Sequence, residues 1–194
     1  MKTNQVYWMA LCLILVIGSC VNEEKQEGPE VKEVTPESMM SDIKEMDDSL
    51  EVLFAQRMKS DNFEIDRLVY HEAINRNKAF YMTYPDHSYA PKAAEKIASM
   101  YLQLNIEPEA IKWRDTILIN YPDFERKLDI LELQKAAYDN FDTYDKEKII
   151  YYSDEMLKME GLPEEKKKDI QFRLENIDLT FRELIKLQNP DLEM

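Results

Sequence analysis

Histidine offers the first place where this chain could do chemistry. His71-Glu72-Ala73-Ile74-Asn75 begins like a helical zinc motif, in which a second histidine one turn after the first completes the ligand pair. Asn75 stands at that position, so the ligand pair is incomplete. The other histidine of the chain, His87, lies beside Asp86 in a proline-containing loop. We therefore predict neither a zinc site nor histidine-based catalysis.

Carboxylates are the second candidate, because paired acids can transfer protons or bind calcium. The adjacent pairs are Asp47-Asp48, Asp154-Glu155 and Glu164-Glu165. The chain has 39 acidic residues, so such adjacency follows from abundance, and none of these pairs lies in a glycine-containing loop of calcium-site spacing. A phosphate-binding glycine loop is also lacking. The prediction is a non-enzymatic protein without a metal or cofactor, with a hydrolase that uses an unrecognised carboxylate site as an alternative.

Cysteine chemistry points to lipid attachment. Residues 6–17 form an unbroken apolar run after Lys2, and Ile17-Gly18-Ser19-Cys20 completes it. This order is typical of an export signal, and its end resembles the lipobox, which is an aliphatic residue, two small residues and the cysteine that becomes lipidated. The uncharged run over residues 6–18 is shorter than the roughly 20 residues that span a bilayer as a helix. We predict a signal peptide over residues 1–19 and a lipid on Cys20.

The segment after this cysteine has the composition of a tether. Residues 20–35 are rich in glutamate and contain no aromatic residue, so they cannot bury enough apolar surface to fold. Resemblance to bacterial lipoproteins implies the outer membrane, because Val21 stands where an aspartate retains many of them in the inner membrane. The periplasmic face and the cell surface both stay open. We predict a lipidated acidic tether over residues 20–35.

The charge of the chain limits its partners. The formal net charge is −14, which repels the phosphate backbone of nucleic acids and anionic lipid headgroups. We expect no nucleic-acid partner and no direct contact with lipid headgroups. The expected partner is another envelope or outer-membrane protein, bound through a basic or mixed segment.

The rest of the chain has the periodicity of helices. Thr35-Pro36-Glu37 is a helix-start signal, because threonine caps, proline is tolerated in the first turn and glutamate suits the helix dipole. From there, apolar residues recur at steps of three and four. Turn residues interrupt this pattern at 84–86, 105–108, 121–123, 140–144, 161–163 and 189–190. We predict an all-α domain of about seven helices over residues 36–188 and a short tail over residues 189–194.

An internal repeat organises these helices. A shift of 37 residues superposes Glu72-Ala73-Ile74 on Glu109-Ala110-Ile111, and Tyr84-Pro85-Asp86 on Tyr121-Pro122-Asp123. A repeat of this length made of two helices indicates stacked helical hairpins. Each hairpin leaves an apolar side that its neighbour must cover, so the units form a solenoid.

At these spacings the chain resembles the tetratricopeptide repeat family. The residues that carry the resemblance are Ala94, Ile97, Ala98, Tyr101, Ala110 and Pro122. Residues 80–90 are similar to the signature that links repeats in tetratricopeptide lipoproteins of the outer-membrane β-barrel assembly machinery. This resemblance implies a short solenoid of antiparallel helix pairs. It also implies a scaffold that helps to assemble or stabilise an outer-membrane complex.

The helical period selects residues for the concave side of such a solenoid, which the first helices of the repeats line. With Tyr101 and Tyr138 buried, the side chains expected on this side are Lys92, Glu95, Ser99 and Gln103 in one repeat, and Asp129, Glu132, Ala136 and Asp139 in the next. We predict that the partner binds here. The groove would be mainly acidic.

The last segment and the tyrosines leave two questions open. Ile170, Leu174, Ile177, Phe181 and Leu184 form a stripe over residues 163–188, which predicts a C-terminal helix that caps the solenoid or docks a partner. The chain has 11 tyrosines, whose rings could stack on sugars. A surface lipoprotein that binds glycan or peptide is therefore the alternative to the scaffold.

The lipid anchor can be tested directly. If Cys20 carries the lipid, Cys20→Ser should leave the signal uncleaved by the lipoprotein route or release a soluble product, because the cysteine of the lipobox is removed. Membrane fractionation with palmitate labelling measures this. A labelled membrane pool unchanged by the substitution would refute the lipid anchor.

Overall fold

The computed structural model describes residues 34–60, 64–140 and 143–190. These residues form eight α-helices and no strand, which confirms the all-α fold class. The helices are α1 (Pro36–Lys59), α2 (Arg67–Thr83), α3 (Ala90–Gln103), α4 (Glu107–Asn120), α5 (Lys127–Tyr138), α6 (Lys146–Leu157), α7 (Glu164–Glu175) and α8 (Phe181–Gln188). Cys20, the signal peptide and the tether up to residue 33 lie outside the described residues.

The first helix begins where its sequence predicts. Thr35 is the N-cap of α1, its hydroxyl accepts a hydrogen bond from the Ser38 backbone N–H, and Pro36 occupies the first turn. The Ser38 hydroxyl accepts from the Thr35 backbone N–H in return, so the two residues form a capping box. This start aligns α1 so that Ile43 is buried against Phe80 of α2 and Ala93 of α3.

Each helix from α1 to α6 packs against the next helix in the chain, as expected for a helical solenoid. Alanines allow the close approach, since Ala73, Ala94 and Ala110 are fully buried. Ala73 and Ala110 pack in one cluster with Tyr101, where α2, α3 and α4 meet. Small residues therefore lie where neighbouring helices of the first two repeats pack together.

The tyrosine of each tyrosine-proline-aspartate loop forms a long-range hydrogen bond to the backbone. The Tyr121 hydroxyl, at the end of α4, donates a hydrogen bond of 2.7 Å to the Pro85 carbonyl in the preceding loop of the same type. The equivalent Tyr84 hydroxyl donates at 2.7 Å to the carbonyl of Val34, just before α1. In both cases the tyrosine at the end of the second helix bonds a backbone carbonyl that precedes the first helix of the same hairpin.

The chain end differs from the single helix predicted over residues 163–188, because two helices, α7 and α8, occupy this segment. The Asn176 side chain donates to the Phe172 carbonyl at the end of α7, and Arg173 Nη1 donates to the Asn176 carbonyl. Thr180 then caps α8 in a capping box with Glu183. These local bonds satisfy backbone groups that a continuous helix would have paired internally.

The repeat register can be tested at the buried alanine of α4. Ala110→Leu should lower the free energy of unfolding by about 1–3 kcal/mol, because the added side chain overpacks the contact among α2, α3 and α4. The matched control is Ala79→Leu, at an exposed position of α2, which should change stability little. Thermal or urea unfolding measures both. Equal effects of the two substitutions would contradict the register.

Candidate functional site

The predicted partner-binding residues lie on a surface formed by α1, α3, α5 and α7, here called the first-helix face. Ion pairs connect the neighbouring helices of this face. They are Asp47–Lys96 between α1 and α3, Glu95–Arg126 between α3 and the start of α5, and Glu132–Lys166 between α5 and α7. Each connection joins residues that are more than 30 positions apart in the chain. The face therefore carries charges of both signs.

Asp139 is the most deeply placed of the predicted residues. Arg173 of α7 binds both of its carboxylate oxygens, with Nε donating at 2.8 Å and Nη2 at 2.7 Å. The side chains of Arg173 and Asp139 are only 7% and 13% exposed. The Arg173 guanidinium also lies over the Tyr144 ring. Asp139 thus forms a buried ion pair with Arg173, and this pair joins the end of α5 to α7.

The other predicted residues lie nearer to solvent. Asp129 pairs with Arg126 at 2.9 Å, and Lys92 pairs with Glu125 at 3.1 Å. Ser99, Gln103 and Ala136 are exposed. The structure brings Glu95 and Ser99 into one cavity between α3 and α5, and Glu132 and Ala136 into a second cavity between α5 and α7.

The first of these, here called the α3–α5 cavity, has a volume of 340 Å³. Its apolar lining comes from Ala98, Leu102, Ile130 and Leu133. Leu102 is 41% and Leu133 46% exposed, although both are large apolar residues. Glu95, Lys96 and Arg126 provide charged groups at the same opening. Burial raises the pKa of the Glu95 carboxyl, although the charge of Arg126 opposes this.

Arg114 of α4 reaches the same cavity from below the first-helix face. Its side chain is 3% exposed, and Nη1 donates to the Leu133 carbonyl at 3.1 Å and to Gln134 Oε1 at 3.2 Å. Gln134 Nε2 donates in turn to Asp115 at 2.6 Å, and the Tyr152 hydroxyl donates to the same oxygen at 2.8 Å. Burial lowers the pKa of the Arg114 guanidinium and raises that of the Tyr152 phenol.

Sequence reasoning missed Arg114, although the chain holds a signal for it. Arg114 lies four residues after Ala110 and three before Ile117, and all three are buried on α4. A charged residue within an apolar stripe must find hydrogen-bond partners or a ligand, because burial of an unpaired charge is costly. Gln134 breaks the apolar stripe of α5 in the same way.

The histidines show no catalytic arrangement in the part of the chain that the structure describes. His71 and Asn75 are exposed on α2. His87 Nδ1 accepts a hydrogen bond from the Tyr89 backbone N–H at 3.1 Å, and its ring packs edge-on against Phe80. Within the described ranges, no group of three or more histidine, cysteine, aspartate or glutamate residues is placed to hold a metal ion.

Comparison with protein-family models, curated proteins and solved structures finds no match for this chain. Among the helices of residues 34–190 that the structure describes, none combines the length and apolar character that crossing a membrane requires.

The buried ion pair gives a clear expectation for stability. Asp139→Ala should lower the free energy of unfolding by about 3–5 kcal/mol, because it leaves the Arg173 charge buried without its partner. Asp129→Ala removes an exposed partner of Arg126 and should cost less than about 1 kcal/mol. Urea unfolding of both variants measures the difference. Equal costs would contradict the internal role of Asp139.

Proposed function

We propose that this chain is a non-enzymatic, lipid-anchored scaffold of the bacterial cell envelope. It binds another envelope protein through the first-helix face and helps to assemble or stabilise an outer-membrane complex. The lipobox-like sequence ending at Cys20 and the acidic tether support the anchor. The resemblance to tetratricopeptide lipoproteins supports the role as a scaffold.

The observation that carries the proposal is the exposure of Leu102 and Leu133 in the α3–α5 cavity. Helices α3 and α5 supply them from the first-helix face, where charged pairs surround the cavity. An apolar centre with a polar rim is the usual anatomy of a protein interface. Large apolar side chains at the centre supply most of the binding free energy, and the rim supplies specificity.

The charge of the face indicates the kind of segment that fits. Lys92, Glu95, Asp129 and Glu132 each have a partner of opposite charge within the chain. A purely basic segment would have to compete with these internal cations. A segment of mixed charge with apolar residues matches both the cavity and its rim. The net charge of −14 argues against nucleic acid, which the chain as a whole would repel.

An affinity pull-down from native membranes with the full-length chain tests the proposal, with mass spectrometry to identify the partner. The double substitution Leu102→Ser with Leu133→Ser should reduce recovery of the partner at least about tenfold, because two central apolar contacts are lost. The readout is the amount of partner recovered at equal bait.

The control removes equally large apolar side chains from the second helices. Leu68 of α2 and Ile119 of α4 are more exposed than Leu102 and Leu133 and lie outside the α3–α5 cavity. Leu68→Ser with Ile119→Ser should leave recovery of the partner unchanged. If the Leu102 and Leu133 variant still recovers the same partner in full, binding occurs elsewhere. If the wild-type chain recovers no partner in stoichiometric amount, the scaffold function is refuted.

A further inference from the structure

One position on the second helices is polar in every repeat from α2 to α6. It is Asn77 in α2, Arg114 in α4 and Ser153 in α6, and all three are buried. The residues four positions before and three positions after are buried and apolar in each helix: Ala73 and Phe80, Ala110 and Ile117, and Ile149 and Met156. The fold accepts an uncharged residue at this position. A buried cation in α4 therefore needs a separate reason.

Arg114 also differs from Arg126 and Arg173 in forming no ion pair among the described residues. Arg126 pairs with Glu95 and Asp129, and Arg173 pairs with Asp139. Among the described residues Arg114 forms no ion pair, and its hydrogen bonds from Nη1 go to neutral oxygens of Leu133 and Gln134.

Burial lowers the pKa of the Arg114 guanidinium, and the charges of Glu107 and Asp115 oppose this without forming an ion pair with it. The carboxylate of Asp115 accepts from Gln134 Nε2 and from the Tyr152 hydroxyl. Gln134 thus bridges Arg114 and Asp115, and the acid binds the guanidinium only through this amide. Nε and Nη2 of Arg114 have no acceptor within the part of the chain that the structure describes, and an arginine fork of this kind matches the two oxygens of a carboxylate.

The residues around Arg114 indicate which other groups a ligand of this cavity would have. The α3–α5 cavity reaches the Arg114 side chain, and Leu102 and Leu133 lie at its opening. Its volume of 340 Å³ is at the small end of ligand-binding cavities, which run from about 300 to 1,000 Å³. This space suits a few side chains of a peptide.

We infer that the α3–α5 cavity binds a partner segment through an acidic side chain, whose carboxylate pairs with the Arg114 guanidinium. An apolar side chain next to the acid packs on Leu102 and Leu133. Because Arg114 lies below the first-helix face, a glutamate side chain can reach it while the peptide backbone stays at the surface. The inference rests on the proposed function and specifies the chemistry of the bound segment.

The net charge of the chain gives this ligand a recognisable salt dependence. At a net charge of −14 the whole protein repels an acidic segment at long range, whereas it attracts a basic one. Added salt screens both long-range effects but screens a buried contact with Arg114 much less. An acidic segment should therefore keep or gain affinity between low and physiological salt, and a basic segment should lose affinity.

The test uses the full-length chain in detergent and a library of short fluorescent peptides that are acetylated and amidated, so that neither end is charged. The central residue is varied over all amino acids, and so is each flanking residue. The wild-type chain should prefer glutamate over glutamine at the centre by about tenfold, the effect of a hydrogen-bonded charge pair. It should also prefer leucine, isoleucine or phenylalanine beside it.

Arg114→Asn should abolish the preference for glutamate, and it introduces the residue that the fold itself carries at the equivalent position 77. Lys112→Asn is the matched control, since it removes an exposed cation from the same helix and should leave the preference unchanged. Leu133→Asn should keep the preference for glutamate and lose the preference for apolar neighbours. Circular dichroism establishes that each variant is folded.

The outcomes separate this inference from the scaffold function. It is refuted if the wild-type chain does not prefer an acidic centre or if folded Arg114→Asn retains the preference for glutamate. In either case a partner whose recovery still depends on Leu102 and Leu133 would leave the scaffold function intact. The assignment is supported if folded Arg114→Asn loses the preference for glutamate while Lys112→Asn and Leu133→Asn keep it.

Discussion

The contact on which the domain depends is the packing of each second helix between two first helices. Ala110 of α4 is fully buried in the cluster where α2, α3 and α4 meet, and Ile117 of the same helix is buried beside Ala94 and Ile130. The second helix therefore covers apolar surface on two repeats at once. No hairpin can bury this surface alone, so the stability of each repeat depends on its neighbours.

The same packing brings polar residues beneath the first-helix face. A residue of α4 that points between α3 and α5 lies under the cavity that these two helices border, and this places Arg114 there. The network from Arg114 through Gln134 to Asp115 and Tyr152 then connects α4, α5 and α6. Buried networks of this kind fix the relative position of helices when all of their groups find partners. Here part of the guanidinium is left without an acceptor among the described residues.

Much of the fold follows from local sequence, whereas little of the candidate site does. Periodicity, prolines and the repeat predict the helices, because each signal acts within a few residues or within one repeat. The break between α7 and α8 also had a local signal, Thr180 followed by Glu183, but the apolar stripe across the segment obscured it. The ion pairs depend on side chains from different helices. Glu95 and Glu132 could be placed on the first-helix face by period alone, but their partners Arg126 and Lys166 could not.

The hydrogen bond between Tyr84 and the Val34 carbonyl affects how the domain resists a pulling force. Val34 immediately precedes the N-cap of α1 and Tyr84 is the C-cap of α2, so the bond joins the two ends of the first hairpin. Tension applied through the preceding chain would thus load this bond together with the first turn of α1. The hairpin would share the load as a unit, and α1 would resist being unwound from its own end.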